Sequence, residues 1–168
     1  MRATAIAAPL LAGLVACLGT EQSPGPTQQI GGSAEGFSCS VPADWTSSND
    51  RGAVILHPPG SSARTIAIRA VPVNSPEAAQ KVIDATDIVL RGLPSATVSA
   101  KREVSASLPA TAYRLTFTPP NAKGLYKRTH VVLVGERHVF HVIDTAPSKV
   151  AADDATRNQL IASFTEEG

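Results

Sequence analysis

From residue 37 onward, apolar and polar positions alternate in short runs that two helical patterns interrupt. Phe37, Cys39 and Val41 share one side of an extended segment that Pro42 ends. Residues 52–57, centred on Val54-Ile55-Leu56, form a second strand, stopped by Pro58-Pro59-Gly60. Residues 64–71 form a third, with Ile66, Ile68 and Ala70 on one face and Arg69 on the other. The Gly/Ser-containing loop between these two marks a hairpin. Ser75-Pro76-Glu77 then opens a helix: Ser75 caps free amides, Pro76 suits the first helical position, and Glu77 suits the positive end of the dipole. Ala79, Val82, Ile83, Thr86 and Leu90 recur at helical spacing and face the core, and Gly92 and Pro94 end the helix.

Four more extended segments follow, over residues 97–104, 110–118, 125–134 and 139–143. The last two meet at Gly135-Glu136, a two-residue hairpin turn. They are apolar on both faces around Val131 to Val134, as strands in the middle of a covered sheet are. A final helix over 148–164 carries Leu160, Ile161 and Phe164 on its apolar face, with Ser148 as its cap. The pattern predicts an α+β domain over residues 37–168, with a mostly antiparallel sheet of about seven strands and two packed helices.

The first 36 residues follow a different logic. Arg2 and the amino terminus give a short positive region, and residues 3–16 form an apolar run. Spanning a bilayer takes about 20 apolar residues, so this run fits the core of a signal peptide, residues 1–16. It ends in Leu14-Val15-Ala16-Cys17, which resembles the bacterial lipobox. That resemblance implies acylation of the Cys17 thiol and cleavage before it. The bland alternative is an ordinary secretory signal without lipidation. Two or more acyl chains anchor stably where one binds marginally. Residues 18–36 are crowded with Gly, Pro, Ser, Thr and Gln, so 17–36 reads as a lipidated cysteine and a flexible tether. Such a coil spans roughly 25 Å. The expected location is the cell envelope, facing the periplasm or exterior. Leu18 is not acidic, which favours the outer membrane where two membranes are present.

Composition narrows the partners. Fifteen Lys+Arg against fourteen Asp+Glu leave a formal charge of +1 in 168 residues, so no field draws in nucleic acid. No run of like charge makes a polybasic membrane patch. With Cys17 acylated, Cys39 is the one thiol of the mature chain and reads as a buried structural residue.

Candidate chemistry is sparse. Gly-x-Ser-x-Gly, a phosphate loop, a dinucleotide fingerprint and the metalloprotease helix motif are all absent from the sequence, so no enzyme activity and no cofactor are expected. Asp153 and Asp154 are adjacent and therefore point apart on a helix. Among His57, His130, His138 and His141, a Gly135-Glu136 turn sets His130 directly across from His141. Two imidazoles so placed are a candidate Zn or Cu site with a third ligand from elsewhere, or simply semi-exposed strand residues. His138 points to the other face. Arg69, Arg114, Lys123, Lys127, Arg128 and Arg137 form a candidate basic stripe for anionic lipid or glycan, or an ordinary solvated face.

The order of elements, with Val41-Pro42-Ala43-Asp44-Trp45 near its start and Leu160-Ile161-Ala162-Ser163-Phe164 at its close, resembles the Mog1/PsbP-like fold. Small exported lipoproteins of the mycobacterial LpqN type are similar. The residues agree with that fold: Trp45 behind Pro42 plugs one end of the sheet and Phe164 docks the last helix, with plain core packing the preferred role of both. The resemblance implies a non-catalytic interaction or assembly module, tethered to the membrane through Cys17, with another envelope protein as partner. The alternative is a ligand- or metal-binding carrier. Fold alone does not fix function.

Overall fold

In the computed structural model, the residues described are 25–60, 63–93, 96–99, 102–103, 106–120, 122–150 and 154–168. The signal peptide and Cys17 lie outside them.

Two sheets and two helices make the domain. The larger sheet is antiparallel and runs in the order β3 (Thr46–Asp50), β4 (Ala53–His57), β5 (Thr65–Pro72), β10 (His138–Pro147), β9 (Tyr126–Val134), β8 (Ala110–Phe117) and β6 (Thr97–Val98), with β7 (Arg102–Glu103) also paired to β8. The smaller sheet is β1 (Thr27–Gly32), β2 (Phe37–Pro42) and β11 (Thr165–Glu166), with β2 in the middle. Helix α1 spans Pro76–Arg91, and α2 spans Asp154–Ala162. The α+β class and the mostly antiparallel sheet are as expected. The apolar strands β9 and β10 are central, and the helices lie on opposite faces.

One face of the large sheet carries the main core. Strand period sends Val54, Leu56, Ile66, Ile68, Ala112, Val131, Leu133, Phe140 and Val142 to this side. They pack under β2 and α2, where Phe37, Cys39, Val41, Leu160, Ile161 and Phe164 are buried. Phe37 stacks on Phe164 at 5.1 Å between ring centroids, and Phe140 meets Phe164 edge-on at 5.0 Å. Phe164 thus fixes the end of α2, and Trp45 is buried in the same core. The opposite face buries Tyr113, Leu115, Val132 and Val139 under Ala79 and Leu90 of α1. Ser75 caps α1 as expected, its hydroxyl accepting from the Ala78 amide at 3.2 Å.

Three expectations need correction. The tether does not reach residue 36: Thr27–Gly32 is a strand, paired from Thr27↔Pro42 to Gly32↔Phe37. Its polar residues gave no apolar alternation. β2 supplies the pairing partner, while Ile30 packs against the core. The end of this strand uses Gly31 at φ +93, where a Cβ would collide with the Phe37 carbonyl. The last helix starts at Asp154 and not at Ser148, because β10 continues to Pro147 and Ser148 lies in the turn behind it. The strand expected over 97–104 is broken into the short β6 and β7.

Cys39 has no exposed surface, and burial pushes its thiol up to about 12. The native thiol is therefore expected to resist alkylation at pH 8 until the chain unfolds. Cys39→Ser buries a hydroxyl among Phe37, Val41 and Phe164, and is expected to cost about 1–3 kcal/mol in urea unfolding.

Candidate ligand pocket

The main-core face of the large sheet is longer than its cover. Beyond Ala112, Val131 and Val142 the same face turns polar, and two cross-strand rows make the change. The first runs Arg114↔Thr129↔Asp144 across β8, β9 and β10. The second runs Thr97↔Thr116↔Lys127↔Ala146 across β6, β8, β9 and β10. Period-2 alternation puts all of these side chains on one side. Arg64, just before β5, and Arg157 and Asp154 of α2 close the space around them, leaving a cavity of about 350 Å³.

Its floor is a buried ionic cluster. Asp144 is 8% exposed, and Arg64 and Arg157 are 5% each. Arg64 donates to Asp144 twice, from Nε at 3.1 Å and Nη2 at 2.9 Å, a forked geometry that only arginine offers. Arg157 Nη1 lies 3.4 Å from Asp144 Oδ2 and 2.8 Å from Asp154 Oδ1. The Arg64 guanidinium also sits 5.7 Å over the Trp45 ring, a cation–π contact that ties the pocket floor to the core. At the rim, Arg114 is 3.8 Å from Asp154, with both side chains about half exposed. Lys127 is exposed on the second row.

The basic stripe of the sequence is therefore only partly assembled. Arg114 and Lys127 come together here. Arg69 pairs across from His141 on the other face. Arg128 lies over Phe117 at 4.6 Å on that other face, where burial lowers its pKa. Arg137 is at the β9–β10 turn, and Lys123 is in the loop before β9.

Sequence reading missed Arg64, Asp144 and Arg157, although two of them left a signal. Asp144 continues the inward series Phe140, Val142 along β10. Arg157 shares the helical stripe of Leu160, Ile161 and Phe164. A carboxylate and a guanidinium at two core-facing positions demand each other.

The histidines do meet, in a different register. Val134 faces Val139, so the turn is Glu136-Arg137 and His130 lies across from Ile143. His141 faces Val132. Moving the turn by one residue shifts the pairing by two, which preserves the face. His130 and His141 are diagonal neighbours, with Nε2 and Nδ1 2.9 Å apart. Burial, then the His141 and Arg128 charges, lower His130 to about 3, and burial and Arg69 lower His141. Among the described residues no third His, Cys, Asp or Glu joins them as a metal ligand. His138 is on the opposite face, as expected, and its Nδ1 is 2.9 Å from Glu166. Glu166 also accepts from the Glu136 and Arg137 amides, which pins β11 to the hairpin tip. His57 contacts Ser48 on the exposed β3 edge at 3.3 Å.

No protein-family model matches the sequence, and no curated protein does. Solved structures are similar in fold. A Bacteroides thetaiotaomicron protein superposes with a TM-score of 0.60 at 18% identity over 86% of this chain, which spans 49% of that protein's length. Cyanobacterial PsbP (CyanoP) from Synechocystis superposes at 0.57 with 11% identity, covering 91% of this chain and 98% of its own. LpqN of Mycobacterium tuberculosis, a protein involved in cell envelope biogenesis, gives 0.50 and 16%, covering 88% of both chains. These likenesses establish the PsbP-like fold.

Proposed function

We propose that this chain is a lipid-anchored protein of the cell envelope whose domain is a non-catalytic interaction module, with the charged pocket as its docking site. The pocket carries the reading. Its carboxylate Asp144 is held by two guanidiniums, an arrangement that fixes charge in place and does not poise a base. Cations and hydroxyls converge around it on rigid strands, as recognition requires. The envelope assignment rests on residues 1–16 as a signal peptide and on Cys17 as the acylated residue. The role of LpqN in envelope biogenesis supports it. Among the described residues no helix is long and apolar enough to cross a membrane, and the lipid on Cys17 is the attachment proposed. β1 begins at Thr27, so the tether proposed here is the shorter segment 18–26. A protein of the same envelope is the expected partner.

Intact mass of protein from the membrane fraction tests the anchor. The wild type is expected to begin at Cys17 and to carry acyl mass, and Cys17→Ser is expected to leave the membrane fraction. A wild-type product that is soluble and unacylated would overturn the reading.

A further inference from the structure

The pocket floor is fully committed and its rim is not. Asp144 is engaged by Arg64 and Arg157, and Asp154 by Arg157 and, more loosely, Arg114. Arg128 also borders the cavity, but its guanidinium lies over Phe117 on the other face, so four cations surround two carboxylates, and Lys127 has no acidic partner among the described residues. The cavity holds a net charge near +2 in a chain whose whole formal charge is +1. That surplus is local and aimed inward by the strand register. Alongside it stand the hydroxyls of Thr97, Thr116 and Thr129 on the same face. Hydroxyl and guanidinium or ammonium donors, converging without a competing free carboxylate, are the complement of an oxyanion.

Charge decides which oxyanion. A carboxylate ligand brings one negative charge and leaves a cation unmatched. A phosphate monoester brings about −1.5 to −2 at neutral pH and three acceptor oxygens. The volume of about 350 Å³ holds far more than the phosphate alone. It lies at the small end of ligand cavities, which run from about 300 to 1,000 Å³. The rest of the ligand is thus small, and a wall that sets Ala146 and Val150 beside the threonines suits a body of mixed polar and apolar character.

We infer that this cavity binds a phosphomonoester on a small body, with Arg114 and Lys127 clasping the phosphate and Arg64 and Arg157 providing the fixed positive floor. The inference goes beyond the proposed function, on which it rests for the site, by giving the pocket a small ligand in addition to a protein partner. The phosphate comes either from a soluble phosphorylated metabolite or from a lipid headgroup that carries a terminal phosphate.

The built-in reporter is Trp45, the single tryptophan of the chain, which lies against Arg64. The full chain in detergent is titrated with glycerol 1-phosphate at constant ionic strength, reading Trp45 emission and the thermal midpoint. A saturable change in both is expected. Arg114→Ala with Lys127→Ala is expected to weaken binding by 10- to 100-fold. Lys81→Ala, on the exposed side of α1, is expected to bind as wild type. Absence of saturation with glycerol 1-phosphate and with phosphatidate-containing vesicles overturns the inference. So does binding that survives intact in the double variant. Saturation by the soluble ester assigns a metabolite. Binding to phosphatidate vesicles alone, lost in the double variant, assigns a headgroup. Since the lipid on Cys17 would carry the chain into any vesicle, the vesicle arms use Cys17→Ser, and equal binding of that chain to phosphatidylglycerol vesicles, which lack the terminal phosphate, overturns the inference. Acyl mass on Cys17 is read on the same preparation, so loss of the ligand class leaves the anchor standing, and the reverse.

Discussion

Asp144→Ala is expected to lower the folding stability by about 3–5 kcal/mol, seen as a fall in the urea midpoint. The size follows from what the substitution leaves behind. Arg64 is 5% exposed and donates both forks to Asp144. Removing the carboxylate takes away the forked acceptor of that buried guanidinium, which also lies over the Trp45 ring. Arg157 suffers less, since Asp154 remains 2.8 Å away. The penalty is thus that of a buried guanidinium deprived of its forked acceptor, and not the intrinsic worth of the pair. The two explanations separate in a double variant. Arg64→Met with Asp144→Ala removes both charges, and is expected to recover much of the loss. If the double variant is as unstable as the sum of the two single ones, the pair is not coupled and the account fails.

What could be read from the sequence follows from where apolar alternation is strong. β4, β5, β9 and β10 were legible because Val, Ile and Leu alternate or run together there. The first helix was legible to its ends, through Ser75, Pro76 and Gly92. β1 and β3 were not. Thr46–Asp50 is an edge strand with every residue exposed, so nothing in its composition marks a buried side. Thr27–Gly32 carries one large apolar residue, Ile30, and exists because β2 offers it a ladder. Pairing of this kind is a tertiary fact, and propensity does not report it.

The pocket was half legible for a related reason. Arg114 and Lys127 stood in the basic stripe, but six cations spread over several segments cannot be sorted into two faces and a hairpin tip without the register. Register also decided the histidines. Their meeting depended only on parity, so a turn misplaced by one residue still brought them together. A turn that changed the register by an odd number would have parted them.

That histidine pair sets the acid behaviour of the fold. Burial, aided by His141 and Arg128, holds His130 down at about 3, while an unfolded histidine titrates near 6.5. Between those values the unfolded chain binds a proton that the native chain refuses. Stability is therefore full above pH 6.5 and falls as pH drops from there toward 3. At full slope one such site removes about 1.4 kcal/mol per pH unit, so pH 4.5 is expected to lie roughly 2–3 kcal/mol below pH 7 on account of His130 alone. His141, lowered by burial and by Arg69, steepens the slope in the same sense. Carboxylates also titrate near the acid end, so the comparison is made against His130→Phe. Phe cannot take the proton, and it removes the buried Nδ1 that lacks a hydrogen-bond partner among the described residues. Urea unfolding of both proteins at pH 7.5, 6.5, 5.5 and 4.5 gives two slopes. The wild-type slope is expected to exceed that of His130→Phe by about one proton between pH 6 and 4.5. Equal slopes would mean that His130 takes up its proton in the native state, and that the packing of α1 over β9 and β10 yields to admit the charge.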